Sequence, residues 1–475
     1  MPHRLHRTPL TSPAGIVHLG LGAFFRAHGA TYIAQAMEQQ GGDWGITGVS
    51  LQSPGTRNRL RPQGWAYTAL ELGPDGETPQ VITVLRDVLV APENPQAVLD
   101  AMAAPTVHIV SLTVTEKGYC HQPSTGRLNC DHPDIRHDLT SPLPKSAPGF
   151  LVRALAARRA AGLPPFTVLC CDNLPENGQV VRGVVLELAR LIDPALADWI
   201  AEHGAFPSTM VDRIVPATTP ADLDRAEATT GWRDEAPVLH EPFRQWVIED
   251  SFCGPRPALQ TVGAQMVGDV TPFEHMKLRM LNGTHSALAY LGYLAGYETI
   301  ADTIADPAFS TLVRRLWRDE IIPALTPPPG EDLAAYADAL HARYANPAIR
   351  HRTWQIAMDG SQKLPQRILG TITENRACGR AVPGLTLAVA AWMRYVSGRD
   401  EKGGTIDVRD PLAPHLSALW HEDPALTVAG FLALAEIFPP ALRDDPGFAS
   451  DLTTALSTLL RQGAKAAVAG MARQD

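Results

Sequence analysis

The chain has 475 residues, too many for one comfortable hydrophobic core, so length alone favours two domains. Hydrophobic residues at 45% and charged ones at 19% describe a globular protein with ample apolar material. A net charge of −9 argues against a nucleic-acid binder, which needs a basic face to displace counterions, yet it leaves room for an acidic small molecule held by a local group of Lys and Arg.

The opening "MPHRLHRTPLTSPAG" lacks the apolar stretch of a signal peptide, and no run approaches the ~20 apolar residues of a membrane span. "GIVHLGLG" (15–22) then reads as a buried strand running into glycines, and "ATYIAQAMEQQ" (30–40) as a helix. "WGITGVSL" (44–51), "QVITVL" (80–85), "VHIVSLTVT" (107–115) and "FTVLCCDN" (166–173) are further strand-like runs rich in Val, Ile and Thr. A turn-rich loop and a helix, "PGFLVRALAARRAAG" (148–162), separate the last two. "VVRGVVLELARLI" (180–192) supplies another helix. Strands alternating with helices predict a mostly parallel α/β sheet of Rossmann type, covered on both faces.

The pattern changes near residue 271. "FEHMKLRMLNGTHSALAYLGYLAGY", "PAFSTLVRRLWRDEIIPAL", "EDLAAYADALHARYA", "LTLAVAAWMRYVSG" and "DLTTALSTLLRQGAKAAVAGM" all carry helical periodicity. The expected organisation is a dinucleotide-binding domain over residues 1–270 and an all-helical substrate-binding and catalytic domain over 271–475. Thr271-Pro272-Phe273-Glu274 has the pattern of a capping box, with Thr271 predicted at the N-cap.

Six cysteines (Cys120, Cys130, Cys170, Cys171, Cys253 and Cys378) show neither C-x-x-C nor paired Cys/His ligand spacing. The expectation is a reduced, cytoplasmic protein without a zinc or other metal site, binding no nucleic acid or membrane. It would act as a monomer or small homo-oligomer.

Two constellations carry chemistry. In "GLGAFFRAH", directly after the first strand, Gly20 and Gly22 fit the first two glycines of a dinucleotide fingerprint. Phe25 stands where the third glycine would be, and Phe25 and Arg26 complete the candidate cofactor turn. The acid that usually follows the second strand is missing: "GVSLQSPGTRNRL" offers Gln52 and Ser53, with Arg57 and Arg59 beyond. That leaves NAD against NADP open.

The second constellation lies in "KLRMLNGTHSALAYLG" (277–292). On a regular helix of 100° per residue, Lys277, His285 and Asn282 fall at about 0°, 80° and 140°. Leucines, a methionine and an alanine around them leave no broad polar face, and Asn282-Gly283 is poor for helix propensity. Such residues suit carbonyl and alcohol redox chemistry: lysine as acid or base, asparagine as oxyanion donor, histidine to orient a hydroxyl.

K-x4-N-x2-H, here Lys277, Asn282 and His285, is the hallmark of the polyol-specific long-chain dehydrogenases, the mannitol dehydrogenase family. "GLGAFFRAH", "SLTVTEKGY" (111–119), "CDNLPENG" (171–178) and "MVDRIVP" (210–216) also resemble that family, in its order, over the chain from about residue 15. The resemblance implies that Lys277 is the catalytic acid/base, that Asn173 and Asn282 bind the developing alkoxide, and that Asp212 lines the cofactor or substrate cleft between the domains. It implies NAD as cofactor, without excluding NADP. "VTEKGY", "MLNGTHSALAYLGYLAGY" and "MDGSQKLPQR" are most similar to the fructuronate reductase (D-mannonate oxidoreductase) branch, with mannitol 2-dehydrogenase as the alternative. The substrate is then a sugar acid or polyol. A keto-uronate carries a carboxylate that needs a cation, and Lys363, Arg367 and Lys117 are the candidates.

Overall fold

The computed structural model describes residues 3–9, 11–122 and 125–473. The chain divides into two compact units at Thr271/Pro272. The first is built on five parallel strands: β1 (Ala14–Leu19), β2 (Gly45–Ser50), β3 (Leu85–Val90), β4 (Ile109–Leu112) and β5 (Thr167–Cys170). Their order is β3-β2-β1-β4-β5, the order that makes the crevice of dinucleotide-binding sheets.

Alternate strand residues feed two separate cores. Val17, Val110 and Val168 enter one cluster with Phe150, Leu155 and Val184. Ile16, Ile46, Ile109 and Leu169 enter another with Phe25, Tyr32 and Trp246. Side chains of successive residues point to opposite faces, so a sheet covered on both sides needs the unbroken apolar runs the sequence has. β1 leads into α1 (Ala23–Ala27) and α2 (Gly29–Gln40).

The predicted strand 80–85 resolves differently. Gly76–Ile82 pairs antiparallel with Tyr67–Gly73 in a separate three-stranded sheet completed by Val238–His240. β3 begins only at Leu85. "GPDG" turns the hairpin through Pro and Asp, and the apolar run continues from one strand into the next, which hides the boundary. A third small sheet joins Thr209–Asp212, Gln245–Glu249 and Gln265–Val267.

The second unit is helical. α3 (Thr271–Met276) already includes Thr271 and is preceded by Asp269, whose carboxylate accepts from the Thr271 N–H at 2.9 Å. Thr271 is therefore the first helical residue rather than the predicted cap. A π-helical segment, Lys277–Gly283, follows and leads into α4 (Thr284–Leu294). The unit continues through a second π-helical segment Leu316–Ile321, α5 (Leu333–Tyr344), α6 (Gly360–Leu364), a third π-helical segment Pro365–Leu369, and the long helices Pro383–Val396 and Pro446–Gln462. Among the described residues no helix is long and apolar enough to cross a membrane.

Candidate active site

Gly20 is required twice over. Its φ is +89°, and a Cβ there would lie 2.1 Å from the Thr113 carbonyl oxygen that follows β4. At Gly22 a Cβ would meet nothing nearer than the Gly20 oxygen at 3.8 Å, so bare backbone faces open space just before α1. A tight glycine turn and then an open one suits the pyrophosphate of a dinucleotide.

The side chains of Phe25 and Arg26 turn inward instead. Phe25 is stacked on the His18 ring with centroids 3.3 Å apart. Arg26 Nη1 donates to the Ala236 oxygen at 2.6 Å, with its guanidinium over Tyr67. Neither side chain is directed at the open space beside Gly22, where the sequence pattern predicts both to serve a cofactor. His18 ties β1 to β4 through Ser111 Oγ at 2.8 Å and Thr113 Oγ1 at 2.9 Å, and its burial lowers its pKa to about 3.

At the same carboxyl edge of the sheet, Asp172 organises the segment after β4. Its carboxylate accepts from Val114 N at 2.8 Å, Thr115 N at 3.1 Å and the Tyr119 hydroxyl at 2.6 Å. That clamp holds Thr115 at a φ of +65° and sets the short turn carrying the exposed Lys117. Asn173, the next residue, is exposed. Asn177 is buried and clasps the chain from behind, donating to the Asp172 and Thr209 oxygens at 3.0 and 2.8 Å. Gly20, Gly22, Lys117 and Asn173 thus share the edge where open α/β sheets bind ligands. Asp212 closes a strand of another sheet and is buried, beside the charge of Arg213 and the rings of His28 and Tyr32.

In the second unit the π-helical segment explains why a leucine-rich helix tolerates Asn282-Gly283. A widened turn frees carbonyls from the regular ladder, and each freed group needs a partner. The Met280 oxygen accepts from Trp317 Nε1 at 2.9 Å and Thr284 Oγ1 at 2.5 Å; the Leu281 oxygen accepts from the Tyr344 hydroxyl at 2.7 Å. Gly283 is fixed by approach: a Cβ there would stand 2.6 Å from the Arg367 oxygen, on the π-helical segment Pro365–Leu369. The uniform 100° spacing expected for Lys277, Asn282 and His285 therefore does not apply. Lys277 is buried, Asn282 half-buried and His285 buried.

His285 Nε2 is buried with no hydrogen-bond partner among the described residues. Its ring lies 5.2 Å from Tyr344, stacked, and 4.7 Å from His351, edge-on. Burial holds its pKa well below the usual imidazole value, reinforced by His351, Arg367, Arg343 and Lys363. His351 is lowered to about 4 by burial and by Lys363. Lys363 Nζ donates to the Met358 oxygen at 2.7 Å and Arg367 Nη1 to Ser286 Oγ at 3.3 Å. The structure thus brings Lys363 and Arg367 to bear on His285. It adds two residues that sequence reading missed, Arg343 near the end of α5 and His351 in the turn "AIRHR". Neither lies in a motif, and only the run of basic residues at 350–352 marked the second. Among the described residues no group of three or more His, Cys, Asp or Glu could hold a metal ion.

A glycine-turn α/β unit and a helical unit carrying a buried lysine, an amide and a neutral imidazole define a nucleotide-dependent oxidoreductase. The chain belongs to the mannitol dehydrogenase family: residues 14–261 match the mannitol dehydrogenase Rossmann domain and 269–460 the mannitol dehydrogenase C-terminal domain. It is 48% identical to the D-mannonate oxidoreductase of Escherichia coli K12 over 463 residues, 96% of this chain and 95% of that protein. It is 42% identical to a mannitol 2-dehydrogenase of Phaeosphaeria nodorum, over 96% of this chain and 81% of that protein. The solved Pseudomonas fluorescens mannitol 2-dehydrogenase, a ternary complex with NAD and D-mannitol, has a TM-score of 0.90 at 40% identity, covering 100% of this chain and 97% of that one.

Proposed function

We propose that this protein is an NAD-dependent oxidoreductase that interconverts D-fructuronate and D-mannonate. When bound at the Gly20–Gly22 turn, a nicotinamide cofactor would supply hydride transfer to or from the substrate carbon; the side chains of this chain manage the oxygen and the proton. In reduction, Lys277 Nζ gives a proton to the carbonyl oxygen as it becomes an alcohol, and in oxidation it takes that proton back. Asn282 and Asn173 donate amide N–H groups to the same oxygen while it carries negative charge. His285, held neutral, exchanges a hydrogen bond with a neighbouring substrate hydroxyl. Lys363 and Arg367 take the carboxylate, with Lys117 as a further cation.

The observation that supports an acidic substrate is the company His285 keeps. After burial, the groups acting on it are His351, Arg367, Arg343 and Lys363, all basic. Similarity to a D-mannonate oxidoreductase agrees with this reading. The structural likeness to a D-mannitol complex favours the second reading, a mannitol 2-dehydrogenase.

A substrate panel separates them. With NADH, fructuronate is expected to exceed fructose in kcat/KM. Lys363→Ala or Arg367→Ala should lower kcat/KM for fructuronate by about tenfold or more, the scale of one charge-assisted hydrogen bond, and leave residual fructose activity near its starting value. A wild type that prefers fructose, or equal losses on both substrates, makes the protein a mannitol 2-dehydrogenase.

A further inference from the structure

In dinucleotide-binding sheets an acid just past the second strand binds the adenosine ribose hydroxyls, and its charge disfavours a 2′-phosphate. Here β2 ends at Ser50 and is followed by Leu51, Gln52, Ser53 and Pro54, with Gln52 and Ser53 exposed. No carboxylate stands in that stretch. Two arginines follow on the helix Gly55–Leu60, and their surroundings differ.

Arg57 is committed. It forms a two-pronged ion pair with Glu93, Nη2 donating to Oε1 at 3.2 Å and Nη1 to Oε2, and its Nε donates to Asn58 Oδ1 at 3.1 Å. The pair lines a cavity of about 290 Å³ to which Asp87 also contributes. A 2′-phosphate brought to Arg57 would have to displace one carboxylate in the presence of another.

Arg59 is not part of that cavity. It is exposed and makes no hydrogen bond or ion pair among the described residues. Its Nη1 lies 3.6 Å from the point that a Cβ on Gly55 would occupy, and Ser53 Oγ lies 3.8 Å from that same point. A guanidinium and a hydroxyl therefore flank one small space at the end of β2, kept open by the glycine. A guanidinium fork matches a phosphate, and a hydroxyl can donate to a remaining oxygen.

We propose that Arg59, together with Ser53, forms a site for the 2′-phosphate of NADP, so that the protein accepts NADP as well as NAD. The inference rests on the nucleotide-binding reading of the first unit and deepens it. Arg57 acts only as structural support through Glu93.

Binding to the full chain tests this without any sugar substrate. Calorimetric titration with adenosine 2′,5′-bisphosphate and with 5′-AMP at low ionic strength isolates the 2′-phosphate. The bisphosphate is expected to bind about tenfold more tightly or better, the scale of one charge-assisted contact. Arg59→Ala should abolish that preference and leave 5′-AMP affinity unchanged, Arg59→Lys should restore part of it, and Arg57→Ala should preserve it. A wild type that binds 5′-AMP as well as the bisphosphate overturns the proposal and leaves the nucleotide reading standing. So does a preference that survives in Arg59→Ala or vanishes in Arg57→Ala. A wild type that binds neither nucleotide overturns both.

Discussion

Lys277 retains only 6% of its surface, and a buried amine needs polar partners to offset its lost hydration. A leucine or methionine in its place would pack without that penalty, which is the physical reason to assign the residue to chemistry. Lys277→Ala is expected to lose several orders of magnitude in kcat while nucleotide affinity survives, with partial recovery on adding a primary amine. Near-normal turnover in that variant would remove lysine from the mechanism. Asn282→Ala should cost about 10²–10³ in kcat, the usual effect of deleting one oxyanion donor; a change confined to KM would show that the amide only binds. Lys277 and Asn282 stood out in the sequence because polar groups in an apolar run contradict their surroundings. Arg343 and His351 did not. They reach His285 from α5 and from a turn, and no local pattern announces a partner so distant in the chain.

Among the secondary-structure elements, the three π-helical segments distinguish this protein from an ordinary helical bundle. The sequence hinted at the first through the unfavourable Asn282-Gly283 pair, but helical periodicity assumes a constant turn and cannot report a widened one. The extra width becomes visible only in the partners of the freed carbonyls. The Tyr344 hydroxyl serves the Leu281 oxygen alongside the Thr284 backbone N–H, with Thr284 Oγ1 further off at 3.4 Å. Tyr344→Phe keeps the ring on His285 and deletes that bond. The expected result is a loss of about 1–2 kcal/mol in unfolding free energy and a fall in kcat larger than the rise in KM, because Asn282 loses part of its support. Denaturant titration and steady-state kinetics on the same variant check both; unchanged kcat would show that the segment needs no such bracing.

At the level of the whole molecule, four of the five strands of the parallel sheet and the change to helices near residue 271 followed from apolar runs alternating with helical stretches; β3 (Leu85–Val90) did not. The Tyr67–Ile82 hairpin and the Thr209–Asp212 sheet did not, since each pairs residues far apart or hides its edges in a continuous apolar run. Global stability carries the imprint of that buried architecture. His18 and His28 both have pKa values lowered to about 3 by burial. Above about pH 6.5 both folded and unfolded forms are neutral there and neither histidine affects stability. As pH falls from 6.5 towards 3 the unfolded chain takes up protons that the native state refuses, so stability drops. At pH 5 the effect is about 2 kcal/mol for each histidine. Urea midpoints measured between pH 7 and pH 5 should fall accordingly, and the His28→Gln variant should show a shallower decline; an identical slope would mean that His28 titrates normally.

The contact of the Gly283 backbone with the Arg367 carbonyl bears on how such an enzyme changes over generations. With no side chain between them, the widened turn bearing Lys277 and the one bearing Arg367 are keyed backbone to backbone. A lineage is then free to exchange the side chains at 351, 363 and 367 while the main-chain path to Lys277 stays where it was. On the proposed assignment, a change of substrate would need only substitutions, and Gly283 is the position where any side chain would push the two turns apart.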